Sequence, residues 1–506
     1  MDIIDEQTKT ASEKQVNQTI TDEQYQHRIE KIEKLKALGV PAYAKNFNRT
    51  HTAAQIAIDF EKLIAEETKV SIAGRIKTIR KMGKASFCDL YDDSGKMQIY
   101  VKADKLGEEK YEIFKLIDIG DIIGVTGQVF TTRTGELTVV AEDLIPLTKS
   151  LRELPEKFHG LRDVEIRYRR RYLDLIANPD VKKVFETRIK IVRRIREFLH
   201  GRDFCEVETP MMQAVPGGAT ARPFITHHNA LDIDLYMRIA PELYLKRLAV
   251  GGFERIFEIN RNFRNEGIST RHNPEFTMLE LYQAYTDYNG MMEITESLIA
   301  DAAQTALGTT KVVYQEKEID FTPPWKRIRW VDAFKEFAGL ELDLKAGAAG
   351  LAAICKSRGI DVDPASNAGQ LMDVLFGELV EPHLMQPTFV YDYPTEISPL
   401  ACQRDDDPDF TERFELFINA FEIANAFTEL RDPLEQLRRL EHQQSLRDSG
   451  DAEAHPIDND YVRALEYGFP PTGGLGIGID RLVMLLTDSA SIRDVIFFPL
   501  LRPEEG

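Results

Sequence analysis

The stretch Phe253-Glu-Arg-Ile-Phe-Glu-Ile-Asn-Arg-Asn-Phe-Arg-Asn-Glu-Gly267 constrains this chain more than any other. Side chains alternate across an extended strand. Phe257, Ile259 and Phe263 therefore share one face, and Glu258, Asn260, Asn262 and Arg264 share the other. A polar loop, Asn265 to Glu275 with Arg271 and His272, leads to a second alternating run, Phe276-Thr-Met-Leu-Glu280-Leu-Tyr282-Gln-Ala-Tyr285. There Phe276, Met278, Glu280 and Tyr282 share a face. Two such runs predict an antiparallel pair, 254–264 with 276–285, in an α+β rather than a doubly wound domain. A covered row of polar groups is costly unless it binds something. The pair is therefore expected to bring an arginine, an aromatic plate and an acid–phenol pair together. The alternative is a surface hairpin laced with salt bridges.

A second hairpin is expected at Phe414-Glu415-Leu-Phe-Ile418, Asn419-Ala420, Phe421-Glu422-Ile-Ala-Asn425. With Asn419-Ala420 as a two-residue turn, Phe417 opposes Glu422, and Glu415 lies diagonal to Glu422 on one face. Two carboxylates that close either repel, raising one pKa, or hold a divalent cation; beside phosphates that cation is Mg²⁺. Two exposed glutamates on a sheet are the plain alternative. Third comes Pro470-Pro-Thr-Gly-Gly-Leu-Gly-Ile-Gly-Ile-Asp480-Arg481, a glycine-rich strand running into a helix with Asp480 as its expected N-cap. Its glycines let a ligand approach the backbone. A cation in the first helical turn, as at Arg481, is disfavoured by the dipole unless an anion holds it. Packing could explain each glycine but not Arg481.

Residues 69–148 change period. Strands are expected at Val70 to Arg80, Ser86 to Tyr91, Lys96 to Val101, Ile122 to Val129 and Glu136 to Ala141, with a helix (Lys105 to Ile117) after the third. That order suits an OB barrel, a common oligonucleotide-binding fold. Within 69–102, eight Lys/Arg face three Asp inside a chain of net charge −19. Phe87 and Tyr91 fall on the face opposite Cys88 and Leu90, where outward aromatics beside basic groups can stack on unpaired bases. A solvated basic face is the competing reading. Lys81-Met82-Gly83-Lys84-Ala85-Ser86 looks like the K-M-S-K-S loop of class I synthetases, but it lacks an H-I-G-H partner and reads as a loop between two strands.

The remaining features bound the class. A chain of 506 residues predicts about three domains. A charge sum of 64 − 83 = −19 argues against general binding of nucleic acid or anionic membrane, so a polyanion must meet a local basic surface. Four scattered cysteines exclude a disulfide scaffold and a cysteine-cluster zinc site, and suit a reducing, cytoplasmic setting. No apolar run is long enough for a membrane span and the polar N-terminus predicts no secretory signal. His227-His228 reads as packing or support rather than a metal site. Thr21 with Gln24 reads as a capping box for an amphipathic helix through Leu35, stopped by Gly39 and Pro41. A long helix is expected from Val181 to His200, with Phe185, Ile189, Val192, Arg196 and Leu199 on one face, followed by a strand from Phe204 to Thr209. The expected divisions are 1–68, a tail and helical extension; 69–150, the barrel; 151–178, a linker; and 179–506, the α+β domain, with a mostly helical insertion near 332–380.

The long helix, the first of these stretches and the glycine-rich third resemble the signature motifs of class II aminoacyl-tRNA synthetases. Motif 1 resembles the long helix ending in Gly201-Arg-Asp-Phe-Cys-Glu-Val-Glu-Thr-Pro210. Motif 2 resembles Asn262-Phe-Arg264-Asn-Glu266 through Phe276, and motif 3 resembles Gly476-Ile-Gly-Ile-Asp-Arg481. The barrel is similar to that of the aspartate–asparagine–lysine subgroup. Val215-Pro-Gly-Gly-Ala219, Arg238-Ile-Ala-Pro-Glu-Leu-Tyr-Leu-Lys-Arg247 and Glu422-Ile-Ala-Asn-Ala-Phe-Thr-Glu429 resemble the bacterial-type lysyl-tRNA synthetases most closely. Ala424 and Ala426 stand where glycines are expected in many relatives.

The resemblance implies ATP and Mg²⁺, L-lysine and tRNA(Lys) as partners, and a homodimer through the motif 1 helix and strand. It implies Arg264 and Arg481 as catalytic groups and Glu415 and Glu422 as metal ligands. Arg264, Glu266, Arg271, His272, Phe276, Glu415 and Arg481 would bind ATP. Gly218, Glu242, Glu280, Tyr282, Asn425 and Glu429 would bind the amino acid, with acids suited to an ammonium substrate. Arg75, Phe87, Gln98 and Glu136 would read the anticodon. A protein-modifying lysyl ligase of related fold is disfavoured by the barrel, and a non-catalytic paralogue by the retained Arg264, Glu415, Glu422 and Arg481.

Overall fold

A computed structural model describes residues 23–155, 161–449, 454 and 456–503. The chain divides into two compact units, Met1–Leu161 and Arg162–Gly506. Thr21 of the expected capping box lies outside the described residues; the helix itself runs over 23–37 and is followed by Gly39 at φ +70°.

In the first unit, β1 (Val70–Met82), β2 (Ala85–Tyr91), β3 (Lys96–Lys102), β4 (Ile122–Thr131) and β5 (Leu137–Thr148) close a barrel in the order β1-β2-β3-β5-β4. Alternation fills its interior with Val70, Ile72, Ile76, Cys88, Leu90, Met97, Ile99, Val101, Val125 and Val139. At Gly127 the β4 register with β5 shifts, and an added Cβ would lie 1.7 Å from the Val140 carbonyl oxygen, so only glycine fits that corner. The single helix expected after β3 is instead two, Ala103–Leu106 and Glu108–Lys115, parted by Gly107 at φ +86°. The stretch Lys81 to Ser86 is the tight turn of the β1–β2 hairpin, where Met82 pairs with Ala85.

The second unit is built on one eight-stranded sheet. Its strands, in chain order, are β6 (Cys205–Glu206), β10 (Arg255–Phe263), β11 (Glu275–Ala284), β14 (Lys326–Arg329), β15 (Thr388–Pro394), β16 (Phe410–Ile418), β17 (Phe421–Thr428) and β18 (Thr472–Gly478). Short side sheets use β7 (Met212–Gln213), β8 (Ile225–His228) and β9 (Ile233–Met237), and the hairpin β12 (Lys311–Tyr314) with β13 (Lys317–Asp320). The main order is β14-β15-β16-β17-β18-β11-β10-β6, antiparallel apart from the end pairs β14–β15 and β10–β6. The apolar face of β10 and β11, with Phe257, Leu279 and Leu281, packs on Ile191, Ile195, Phe198, Leu298, Ile299, Leu482 and Leu485 from three helices. Each such side chain contributes about 2 kcal/mol on burial. That drive turns the polar row to the opposite face.

Two expectations about the long helix are corrected. It spans Pro179–His200, but its buried stripe is Val181, Phe185, Ile191, Ile195, Phe198 and Leu199, while Ile189 is 58% exposed. Both stripes satisfy a spacing of three and four, so the period alone does not choose between them. The strand expected over 204–209 shrinks to Cys205–Glu206, which pairs with Ile256 and Phe257. His227 and His228 are exposed on β8, with His227 beside Asp232 and Asp234, so they are not packing residues. Helices Trp330–Ala333, Gly347–Ser357 and Ala368–Leu379 share a small core of Trp330, Phe334, Leu351, Leu375 and Phe376.

Candidate active site

The register Glu258↔Glu280 and Asn262↔Phe276 aligns the polar row of β10 with the polar face of β11. On the other edge of β11, Glu280 lies opposite Gly476 of β18, and Gly476 lies opposite Asn425 of β17. The glycines of β18 keep this floor low: a Cβ at Gly474 would sit 2.0 Å from Glu429 Oε1 and 2.7 Å from the Tyr282 ring.

Two adjoining cavities stand on the floor. One is lined by Arg264, Glu266, Arg271, His272, Phe276 and Arg481, among others. The other, of about 410 Å³, is lined by Gly218, Glu242, Glu280, Tyr282, Glu415 and Glu429, among others. Arg264, Met278, Glu422, Asn425 and Gly476 line both. In the first cavity the Arg264 guanidinium lies 5.1 Å from the Phe276 ring centroid. Arg481 donates to the Glu422 carbonyl oxygen at 2.7 Å and lies 3.1 Å from His272 Nε2. Burial, then the Arg481 charge, holds His272 below the ordinary histidine range, so it stays a neutral partner. Burial also lowers Arg264, against the pull of Glu266 and Glu422.

The N-cap of the helix Ile479–Leu486 is Gly478 and not the expected Asp480, which lies in the first turn. There Asp480 accepts the Thr277 N–H and an Arg188 Nη1–H, both at 2.6 Å.

The second cavity is acidic. Burial raises Glu280 well above the carboxylate range, aided by Glu242 and Glu258. Burial raises Glu429 to about 8, against the pull of Lys246. Glu429 is fully buried, and its Oε1 has no hydrogen-bond partner among the described residues. Such an acceptor is costly until a donor arrives.

The β16–β17 hairpin turns at Asn419 and Ala420, both with positive φ, and Phe417 pairs with Glu422 as expected. The uninterrupted ladder does not hold: a bulge at Leu416/Phe417 sets Asn425 opposite Glu415. Both glutamates still line the second cavity. Arg413 Nη2 donates to Glu415 at 2.6 Å and Tyr393 Oη at 2.8 Å, yet burial, with a further push from Glu422, raises Glu415 to about 7. Among the described residues, no group of three or more His, Cys, Asp or Glu is placed to hold a metal by itself.

The sequence pattern of the family described as tRNA synthetases class II (D, K and N) matches residues 163–502, and that of the OB-fold nucleic acid binding domain matches residues 70–147. The chain belongs to the class II tRNA synthetases (D, K and N). It is 60% identical over 480 residues to a protein of Pelotomaculum thermopropionicum named lysine--tRNA ligase, covering 94% of each chain. It is 52% identical over 496 residues to the lysine--tRNA ligase of Bacillus subtilis, covering 97% of this chain and 99% of that relative. In this family setting the barrel of the first unit is a nucleic-acid binding domain.

That barrel carries a hollow of about 760 Å³ lined by Arg80, Phe87, Lys96, Gln98, Tyr100, Phe130, Arg133 and Glu136, among others. Phe87 and Tyr100 lie 4.8 Å apart, ring to ring, and Lys96 pairs with Glu136 at 2.7 Å. Gln98 Oε1 accepts from Thr138 at 3.0 Å. Arg75 is not brought to this hollow; its Nη1 donates to the Gly120 carbonyl oxygen at 2.7 Å. Arg80, cross-strand from Phe87, reaches it from β1, and Arg133 also lines it.

Sequence reading missed Lys246, Arg413 and Asp373. Asp373 comes from helix Ala368–Leu379 and lines the second cavity, where burial raises it to about 6. Lys246 had a signal: it stands one helical turn after Glu242, a spacing at which side chains meet. Arg413 shares a strand face with Glu415, two residues away.

Proposed function

We propose that this chain is a lysine–tRNA ligase that activates L-lysine with ATP and transfers it to tRNA(Lys). The observation that carries the reading is the pair of adjoining cavities joined at half-buried Arg264, one lined by Arg264, Phe276 and Arg481 and the other acidic. The names of its relatives at 52–60% identity support the same choice. A substrate carboxylate would pair with Arg264, and Glu242 and Glu429 would receive the α- and ε-ammonium groups, with Tyr282 beside the latter. An aspartate substrate would set a second carboxylate against these acids, which repel it.

In the first step the lysine carboxylate oxygen attacks the α-phosphorus of ATP, the bond to the pyrophosphate oxygen breaks, and lysyl-adenylate forms. Arg264, positioned between the cavities, neutralises charge on the attacking carboxylate and on the α-phosphate. Phe276 stacks against adenine. Arg481 lies over the other face toward the γ-phosphate, with Glu266, Arg271 and His272 around the remaining nucleotide groups. In the second step the terminal hydroxyl of the tRNA attacks the lysyl carbonyl and AMP leaves. No protein nucleophile is required, because alignment and electrostatic stabilisation lower the barrier.

Glu415 and Glu422 fit Mg²⁺, which takes one or two carboxylates and completes its shell with phosphates and water. Burial, with a further push from Glu422, raises Glu415 even with Arg413 and Tyr393 bonded to it, and a bound cation would favour its ionised form. Bound there, Mg²⁺ would neutralise phosphate charge; Glu415 and Glu422 would hold it.

Anticodon recognition falls to Phe87, Gln98 and Glu136 in the barrel hollow, with Arg80 in the place expected for Arg75. A homodimer through the helix Pro179–His200 and strand β6 is supported by exposed Ile189, Met211 and Met212. A cytoplasmic setting fits the four free cysteines. AMP release that requires lysine and tRNA together tests the reading; release with lysine but independent of tRNA overturns the second step.

A further inference from the structure

Helix Glu242–Val250 carries Glu242 and, one turn later, Lys246. Lys246 is fully buried. Its Nζ lies 2.5 Å from Glu242 Oε1 and 2.5 Å from Glu429 Oε2. The Phe427 and Tyr461 rings lie 5.1 and 5.9 Å from that nitrogen. Two carboxylates from separate elements thus share one ammonium, and Glu429 Oε1 remains without a partner among the described residues. One ammonium is shared by two acid groups, and the acceptor capacity left over faces the cavity that both of them line.

We propose that Lys246 is a positioning and specificity-determining residue, whose single ammonium fixes the separation of Glu242 and Glu429 and so measures the distance between the two amino groups of a diamino acid. The inference rests on the reading that those carboxylates receive the α- and ε-ammonium groups. A rigid separation discriminates by length. Ornithine, one methylene shorter, must draw the two carboxylates away from where the Lys246 ammonium holds them or leave Glu429 Oε1 without a donor. One missing methylene is worth about 10–200-fold in an apolar pocket, and an unpaired buried acid adds to that.

The same contact sets a pH dependence. Lys246 faces Glu242 on its own helix, Glu429 just after β17, and Tyr461 from helix Asn459–Glu466. Glu280 and Tyr282 of β11 face Glu242, and Arg247 lies beside Tyr461. Burial lowers the Lys246 ammonium, but Glu242 and Glu429 outweigh it, so Lys246 stays charged. Its charge holds the Glu429 carboxyl down against burial. Removing that charge moves the acid limb of kcat/KM for lysine to higher pH, since kcat/KM reports groups of the free enzyme.

The test is ATP–pyrophosphate exchange with lysine and with ornithine across pH 6–9, on wild type, Lys246→Met and Lys246→Arg. Lys246→Met is expected to raise the lysine KM by about 100-fold with the ATP KM little changed. It is also expected to move the acid limb upward by about one pH unit and to raise the ornithine-to-lysine ratio of kcat/KM by about tenfold. Lys246→Arg keeps the charge, so it keeps the acid limb but still raises the ratio. A folded Lys246→Met with the wild-type acid limb and ratio overturns the proposal. Should Lys246→Met fail to fold, Lys246→Arg with an unchanged ratio overturns it. Wild type without lysine-dependent exchange overturns the underlying reading as well, which separates the two failures.

Discussion

Asp480 accepts the backbone N–H of Thr277 at 2.6 Å across 203 residues of chain. Its other oxygen takes Arg188 Nη1 at 2.6 Å, and Arg188 Nη2 donates to Thr277 Oγ1 at 3.0 Å. One buried carboxylate therefore ties the long helix, strand β11 and the first turn of the helix Ile479–Leu486 together. Phe276 and Arg481 each lie one residue from these anchors, so their separation is inherited from this knot.

Asp480→Ala leaves Arg188 without its buried partner. Breaking a buried pair from one side costs about 3–5 kcal/mol. Urea unfolding of the second unit is expected to show a loss of that size, and the ATP KM is expected to rise in the molecules that remain folded. Unchanged stability would mean the contact is idle.

Glu429→Gln removes the acceptor assigned to the substrate ε-ammonium. The lysine KM in pyrophosphate exchange is expected to rise by about 10²–10³-fold, because a buried charged contact is lost. Wild-type activity in this variant removes Glu429 from the pocket. The same variant tests the pH sign. Burial raises the Glu429 carboxyl to about 8 in the folded chain. Its stability contribution is then full below the unfolded value and is lost as pH rises through about 8. The thermal stability of wild type relative to Glu429→Gln, without ligand, is expected to fall between pH 6 and 9; a difference that grows would contradict it.

The floor of the site is legible in the sequence because its physical signal is local. Polar residues alternate with apolar ones in 254–264 and 276–285, and burial of the apolar half forces the rest to one face. The hairpin partners Phe417 and Glu422 are legible from the two-residue turn, but the bulge beside them is not, since one extra residue leaves the composition unchanged. The buried stripe of helix Pro179–His200 is ambiguous for the same kind of reason: two stripes fit the period and only the partner surface decides. Lys246 hides because a lysine on a helix ordinarily reads as solvated, and the carboxylate that buries it, Glu429, lies 183 positions away in the sequence. Arg75 and Arg80 are both basic residues on β1. Only the register with β2, shifted between Ile76 and Thr78, shows which one lies opposite Phe87.

Phe87→Ala removes one stacking plate from the barrel hollow. Stacking on a base is worth about 1–3 kcal/mol. Charging of tRNA is expected to fall by about tenfold or more in kcat/KM, while lysine-dependent pyrophosphate exchange is unchanged. Equal loss in both assays would make Phe87 a structural residue of the barrel.

Glu422→Gln takes one carboxylate from the pair assigned to Mg²⁺. The Mg²⁺ concentration for half-maximal exchange is expected to rise by about tenfold, as loss of one charged ligand weakens a hard-cation site. A titration that overlays wild type would place the ion elsewhere.

Ile189→Glu puts a charge on the exposed face of the long helix. If that face joins two copies, sedimentation is expected to show dissociation to monomers, with the fold kept because Ile189 lies outside the core stripe. A variant that sediments as wild type would move the interface.

The acidic cavity beside a nucleotide site is the centre of the account, and pyrophosphate exchange across the twenty amino acids tests it most directly. Exchange with lysine alone, abolished when lysine is withheld, is the predicted result. Exchange driven by aspartate or asparagine, or none with any amino acid, would contradict it.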